Sequence, residues 1–291
     1  GVLGPLRLHG VDAAGIVLAG GRSSRMGTPK ADLEWHGSTL LHRTAALLQR
    51  SVTGPVVVVA APDQQLPPLP TGVQLAVDPV EGRGPMQGVA VGLAALVGQA
   101  ETAFVASTDM PFLHPAYIRG VLAAFEASPT DIALPIAGGH RQPLAAAYRT
   151  GLAELVAKLL AAGEHRPGQI HQHCRMRLIE EAELLADPEL ARLDPDLDSV
   201  RNLNEPADYE SARARPAPQI LVECFGALVG AGRPRRQTVA AATLGRAADA
   251  VGLTLDAHVV AALNGDRITR SPDLPLVTGD AIAFLSADAG G

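Results

Sequence analysis

Continuous apolar runs alternate with stretches of helical spacing along most of the chain, and the pattern changes beyond residue 213. The runs Gly15–Leu18, Pro55–Ala61, Val73–Val77 and Thr102–Ser107 are rich in Val, Ile and Ala. Such runs predict strands buried on both faces, as in a parallel sheet. Between them, Leu40–Leu48 has the apolar spacing of a helix, and Gly88–Val97 predicts a helix of small residues. Pro62–Pro70 is a proline-rich surface loop, and a further helix begins near Pro115. Strands alternating with helices imply βαβ units and an α/β, mostly parallel sheet. Ligands of such sheets lie off the carboxyl ends of the strands. The loops after Leu18, Val77 and Ser107 all begin at that edge.

Further along, Val200–Asn204 alternates, which predicts a strand with Asn202 and Asn204 on one face. Glu205-Pro206 then opens a helix with Asn204 as its N-cap. Arg213–Pro218, RARPAP, reads as a charged proline linker. Beyond it, Gln219–Phe225 and Gln237–Ala240 predict strands, and Thr243 caps a helix over Leu244–Val251. Val259–Leu263 is a strand closed by the hairpin dipeptide Asn264-Gly265, and Ala281–Leu285 is the last. The chain of 291 residues fits about two domains. The expected division is 1–212, a linker at 213–218, and a ββαββ domain at 219–291.

Composition narrows the classes. Hydrophobic residues are 47% and charged residues 19%, but aromatics only 3%, so the cores must be built from Ala, Val and Leu. A net charge of −6, without a basic stripe, argues against nucleic-acid binding. No apolar run approaches the roughly 20 residues of a membrane-spanning helix. The opening GVLGPLRLHG lacks a signal peptide's charged region and apolar core. Cys174 and Cys224 form no CxxC, which suits a reducing cytoplasm.

The candidate chemistry concentrates in Ile16–Lys30, IVLAGGRSSRMGTPK. A buried strand that breaks on Gly20-Gly21 lets backbone N–H groups approach an anion, and Arg22, Arg25 and Lys30 add positive charge. It is no Walker A loop, because Ala31 follows Lys30, and it lacks the G-x-G-x-x-G order. The string resembles the signature loop of the molybdenum cofactor nucleotidyltransferases. These are a Rossmann-like branch of the nucleoside-triphosphate transferases, and Leu18-Ala19-Gly20-Gly21 matches the guanylyltransferase form. The resemblance covers about Gly15 to Arg213.

That resemblance implies roles residue by residue. Asp109, in Thr108-Asp109-Met110-Pro111, would be the Mg²⁺ ligand, although an Asp there also suits a helix cap. Arg25 and Lys30 would neutralise phosphate charge as catalytic groups, and Leu18, Ala19, Gly20 and Gly21 would line the nucleotide. Asp78, Gly84 and Pro85 would contact it from a second loop, where Met86-Gln87-Gly88 replaces the usual Leu-Ala-Gly. His140, Arg141 and Gln142, with Asn202 and Asn204, would face the acceptor; a polar hairpin tip is the alternative for the first three. His165, His171, His173 and Cys174 fit no standard zinc spacing.

The C-terminal pattern, with AALNGD, LVTGDAIAFL and the terminal Gly290-Gly291, resembles the β-grasp sulfur carriers, specifically the small subunit of molybdopterin synthase. It implies a ubiquitin-like α+β domain that carries sulfur as a thiocarboxylate. An adenylating enzyme and the synthase large subunit would be its partners. Together the two resemblances imply a cytoplasmic guanylyltransferase, moving GMP from GTP to molybdopterin and releasing pyrophosphate, fused to a sulfur carrier. A cytidylyltransferase or another nucleotidyltransferase, and a carrier with a non-catalytic N-terminal scaffold, are the alternatives.

Overall fold

A computed structural model describes residues 11–19, 29–80, 83–164, 170, 172–230 and 234–287. Its strands are β1 Ala14–Leu18, β2 Glu34–Trp35, β3 Ser38–Thr39, β4 Val56–Ala60, β5 Gln74–Val77 and β6 Thr102–Ser107. They continue with β7 Ile132–Ala137, β8 His140–Arg141, β9 Ala145–Arg149 and β10 Met176–Ile179. The chain divides by its contacts into two units, one of Gly10–Leu33 and Thr39–Tyr209, the other built on Glu210–Gly291 with Glu34–Ser38.

In the first unit the sheet order is β10-β7-β9-β6-β1-β4-β5, with β8 paired to β7. β1 runs parallel to β4 and β6, and β4 to β5, while β9 lies antiparallel between β6 and β7. Helices α1 Leu40–Ser51 and α3 Pro115–Glu126 cover one face; α2 Pro85–Leu96 and α4 Ala153–Ala161 cover the other. Successive residues of β1 serve opposite layers, Val17 one core and Ile16 the other. A strand buried on both faces therefore reads as an unbroken apolar run.

Small residues set the closeness of the α2 layer. A Cβ at Gly92 would stand 2.6 Å from Ile16 Cγ2, and one at Gly88 3.1 Å from Leu18 Cδ2. Lying four apart, the two glycines share the helix face pressed on β1. The helix begins at Pro85, three residues before the expected Gly88, because proline's fixed φ suits a first helical position.

The second unit holds a sheet of order β12-β11-β15-β13-β14, where β11 is Gln219–Cys224, β12 Arg236–Ala240, β13 Val259–Leu263, β14 Arg267–Thr269 and β15 Ala281–Ser286. The first and last of these, β11 and β15, are parallel central neighbours. One sheet face packs on the helix Leu244–Ala250, capped by Thr243 Oγ1, which accepts from the Arg246 N–H. The order ββαββ gains a strand, because the Asn264-Gly265 turn folds Arg267–Thr269 back onto β13. Asn264 takes φ 54° there, and its amide donates to Asp280 Oδ1 at 2.9 Å.

Two other expectations need correction. Val200–Asn204 forms no strand: Asp198–Val200 is a 3-10 turn and 201–204 extends without sheet partners. Its inward Leu203 N–H is spent on Asp109 O at 2.9 Å instead of on a ladder. The linker also starts later than Arg213, since the helix Pro206–Arg213 includes that residue and Arg213 pairs with Glu34 at 2.5 Å. Helix-breaking proline first recurs at Pro216.

Candidate active site

The carboxyl ends of β1, β5 and β6 lie on one edge, as the register Leu18↔Ser107, Leu18↔Val59 and Ala60↔Val77 requires. Leu18 and Ala19 end β1 there. The Leu18 carbonyl accepts from Thr108 Oγ1 at 2.8 Å, so the β1 and β6 exits are tied together. Ala19 O accepts from Gln64 Nε2 at 3.0 Å, and Gln64 Oε1 accepts from the Ala61 N–H. Thr108 and Gln64 were invisible to pattern reading, because each acts by bridging two loops distant in sequence.

Lys30, in the 3-10 turn Lys30–Asp32, reaches across to Asp109: Nζ lies 2.8 Å from Oδ2. Their side chains are 25% and 16% exposed, so the pair is sheltered but open on one side. Asp109 Oδ1 is buried and has no hydrogen-bond partner among the described residues. A buried carboxylate oxygen without a partner is costly unless something else occupies its lone pairs. A hard divalent cation suits it, since Mg²⁺ takes one or two carboxylates and completes its shell with phosphate and water. Asp109 does not cap α3; His114 does, its Nδ1 accepting from the Ala116 N–H at 3.0 Å.

Asp78 follows β5, where its own carboxylate accepts from the Val80 N–H at 2.9 Å. Gly84, at φ 80°, and Pro85 form the N-terminus of α2, the positive end of the helix dipole, which favours an anion. His140 and Arg141 form the exposed β8 after the Gly138-Gly139 turn, at the carboxyl end of β7. Gln142 is committed to that hairpin, donating to Ala137 O and His140 O. Asn202 and Asn204 are exposed on either side of Leu203, which binds Asp109. Asn204 is not the helix cap; the Asp208 carboxylate reaches back to accept from the Asn204 and Glu205 N–H groups. The structure thus brings together Leu18, Ala19, Lys30, Asp109 and the Asn202–Asn204 segment.

Gly20, Gly21 and Arg25 lie outside the described residues, as do His165, His171, Gly290 and Gly291. Among the described residues no three His, Cys, Asp or Glu side chains gather as a metal site. No helix there is long and apolar enough to cross a membrane.

The α/β sheet belongs to a nucleotidyltransferase domain, as a family match shows. The MobA-like NTP transferase model matches residues 15–177, and the chain belongs to that family. It is 32% identical over 206 residues to a probable molybdenum cofactor guanylyltransferase of Pelotomaculum thermopropionicum, covering 70% of this chain and 93% of the relative. A protein of the same description from Mycobacterium bovis is 41% identical over 160 residues, covering 54% and 77%. Among solved structures, molybdopterin-guanine dinucleotide biosynthesis protein A of Archaeoglobus fulgidus superposes with TM-score 0.54 at 20% identity, covering 69% of this chain and 96% of that one. At that identity the likeness is one of fold.

Proposed function

We propose that the first unit transfers GMP from GTP to molybdopterin, forming the guanine dinucleotide and pyrophosphate. The observation that carries this is the Asp109 carboxylate at the proposed nucleotide edge, one oxygen on Lys30 and the other buried with no partner among the described residues. The guanylyl specificity is drawn from the names of the relatives above. An acceptor phosphate oxygen attacks the α-phosphorus, the α–β bridging bond breaks, and pyrophosphate leaves. The attacking oxygen is already ionised near neutral pH, so positioning and charge neutralisation suffice. Asp109 would hold Mg²⁺, which would supply charge neutralisation for the phosphates. On this reading Lys30, whose Nζ lies 2.8 Å from that carboxylate, contacts the same phosphates, and Arg25 adds charge from its loop. Leu18, Ala19, Gly20, Gly21, Asp78, Gly84 and Pro85 hold the nucleotide; His140, Arg141, Gln142, Asn202 and Asn204 form the acceptor side. Pyrophosphate release compared across GTP, CTP and ATP, with molybdopterin present, tests the reading. A preference for CTP overturns it in favour of a cytidylyltransferase.

The second unit we read as a β-grasp sulfur carrier. Supporting this are the parallel central pair β11 and β15, flanked by β12 on one side and the β13–β14 hairpin on the other, over one helix. The chain runs from β15 to Gly290-Gly291, whose lack of side chains suits a narrow channel. On this reading the domains are 1–212 and 219–291, and an adenylating enzyme and the synthase large subunit are the carrier's partners. Incubation with an activating enzyme and a sulfur donor should add a terminal thiocarboxylate, visible as a gain in intact mass.

A further inference from the structure

Asp194–Leu203 fastens the loop Asp109–His114 at both ends. The Leu203 N–H donates to Asp109 O at 2.9 Å, and the His114 N–H donates to Ser199 Oγ at 3.0 Å. Ser199 is fully buried, and its own N–H donates to Asp194 Oδ2 at 3.1 Å. Asp194 is itself buried, which raises its carboxyl above the ordinary value, so the fold retains an acid there at a cost. Leu197, between them, takes φ 50°, a backbone state that side-chain-bearing residues adopt only when their surroundings enforce it. Buried acid, buried hydroxyl and left-handed turn lie together in the segment that leads to Leu203.

The far side of the same loop is pinned separately. Thr108 Oγ1 donates to Leu18 O, and Arg43 Nε donates to Pro111 O at 3.0 Å. The Asp109 loop is thus anchored on both sides, and its carboxylate lies 2.8 Å from Lys30 Nζ. Leu203 points inward and is fully buried, so Asn202 and Asn204 emerge on either side of the point where the strap meets Asp109.

We propose that Asp194–Leu203 is a positioning strap, in which Ser199 and Asp194 set the Asp109 carboxylate and the Asn202/Asn204 pair in fixed register. A divalent cation and the polar group of the acceptor are thereby presented together. The inference rests on Asp109 as the metal ligand. Neither Ser199 nor Asp194 touches substrate; both act through backbone hydrogen bonds.

Mn²⁺ binding to the full chain with GTP, followed by the EPR signal of free Mn²⁺ and corrected for GTP alone, tests it. Ser199→Ala, which removes the acceptor for His114, is expected to weaken Mn²⁺ binding roughly three- to tenfold, the scale of one lost hydrogen bond. Asp194→Ala should do the same, while Asp194→Asn keeps an oxygen for the Ser199 N–H and should restore parental binding. If Asp194→Ala fails to fold, Ser199→Ala carries the test. Variants that lower the urea midpoint yet bind Mn²⁺ like the parent overturn the strap. Binding lost in Asp109→Ala but intact in Ser199→Ala also overturns the strap while leaving the metal reading in place. Parental binding in Asp109→Ala removes the metal reading and the strap with it.

Discussion

Asp109 combines a partly sheltered ion pair with a buried oxygen that has no partner among the described residues. The pair with Lys30 is worth about 0–1 kcal/mol at such exposure, whereas the stranded oxygen costs roughly 1–3 kcal/mol. Asp109→Ala is therefore expected to abolish pyrophosphate release without lowering the urea midpoint. A clear fall in that midpoint would show the carboxylate to be structural. Lys30→Ala should lower kcat by about 10²- to 10³-fold, as for loss of one preorganised charge-stabilising group, with folding intact by circular dichroism. The place of Asp109 just past β6 was legible because a carboxylate at the end of an apolar run, before Met-Pro, stands out in sequence. Thr108, Gln64 and Ser199 were not, since a hydroxyl or amide shows its purpose only beside the carbonyl or N–H it meets.

At the scale of elements, the contact of α2 on β1 depends on the absence of a methyl group. Gly92→Ala puts a Cβ 2.6 Å from Ile16 Cγ2, and overpacking should cost about 1–3 kcal/mol in chemical denaturation. Edge strand β10 is held to β7 partly by Asp131, whose carboxylate accepts from the Arg175 N–H at 3.0 Å and from its guanidinium at 3.1 Å. The Arg175 side chain, foremost, holds that carboxyl below its ordinary value. A depressed folded value gives stability that is present above the unfolded value and lost as pH falls through the folded one. Asp131→Asn should thus lower the urea midpoint at pH 6, and the gap from the parent should close as pH drops below the ordinary carboxylate value of 3.8. A gap independent of pH would remove the ionic explanation. Buried strands were legible by their runs; the Val200–Asn204 strand was misread because alternation there serves one inward leucine, not a sheet.

For the whole molecule, two contact units carry two proposed chemistries. If they act separately, deleting Gly290-Gly291 leaves GTP-dependent pyrophosphate release unchanged and removes the mass gain with the activating enzyme. A loss of both would show that the terminus serves the transferase.

The sequence alone determined the α/β order, the strands buried on both faces, and the shared carboxyl-end edge from which the candidate loops leave, because burial and backbone turns leave periodic marks in a single chain. It also supplied the pattern of the second sheet, short of β14. Only the tertiary structure decided that Lys30 meets Asp109, that His114 caps α3, and that residues 194–203 hold the Asp109 loop. Those contacts join positions from different parts of the chain, and local pattern carries no record of which distant partner a polar group will find.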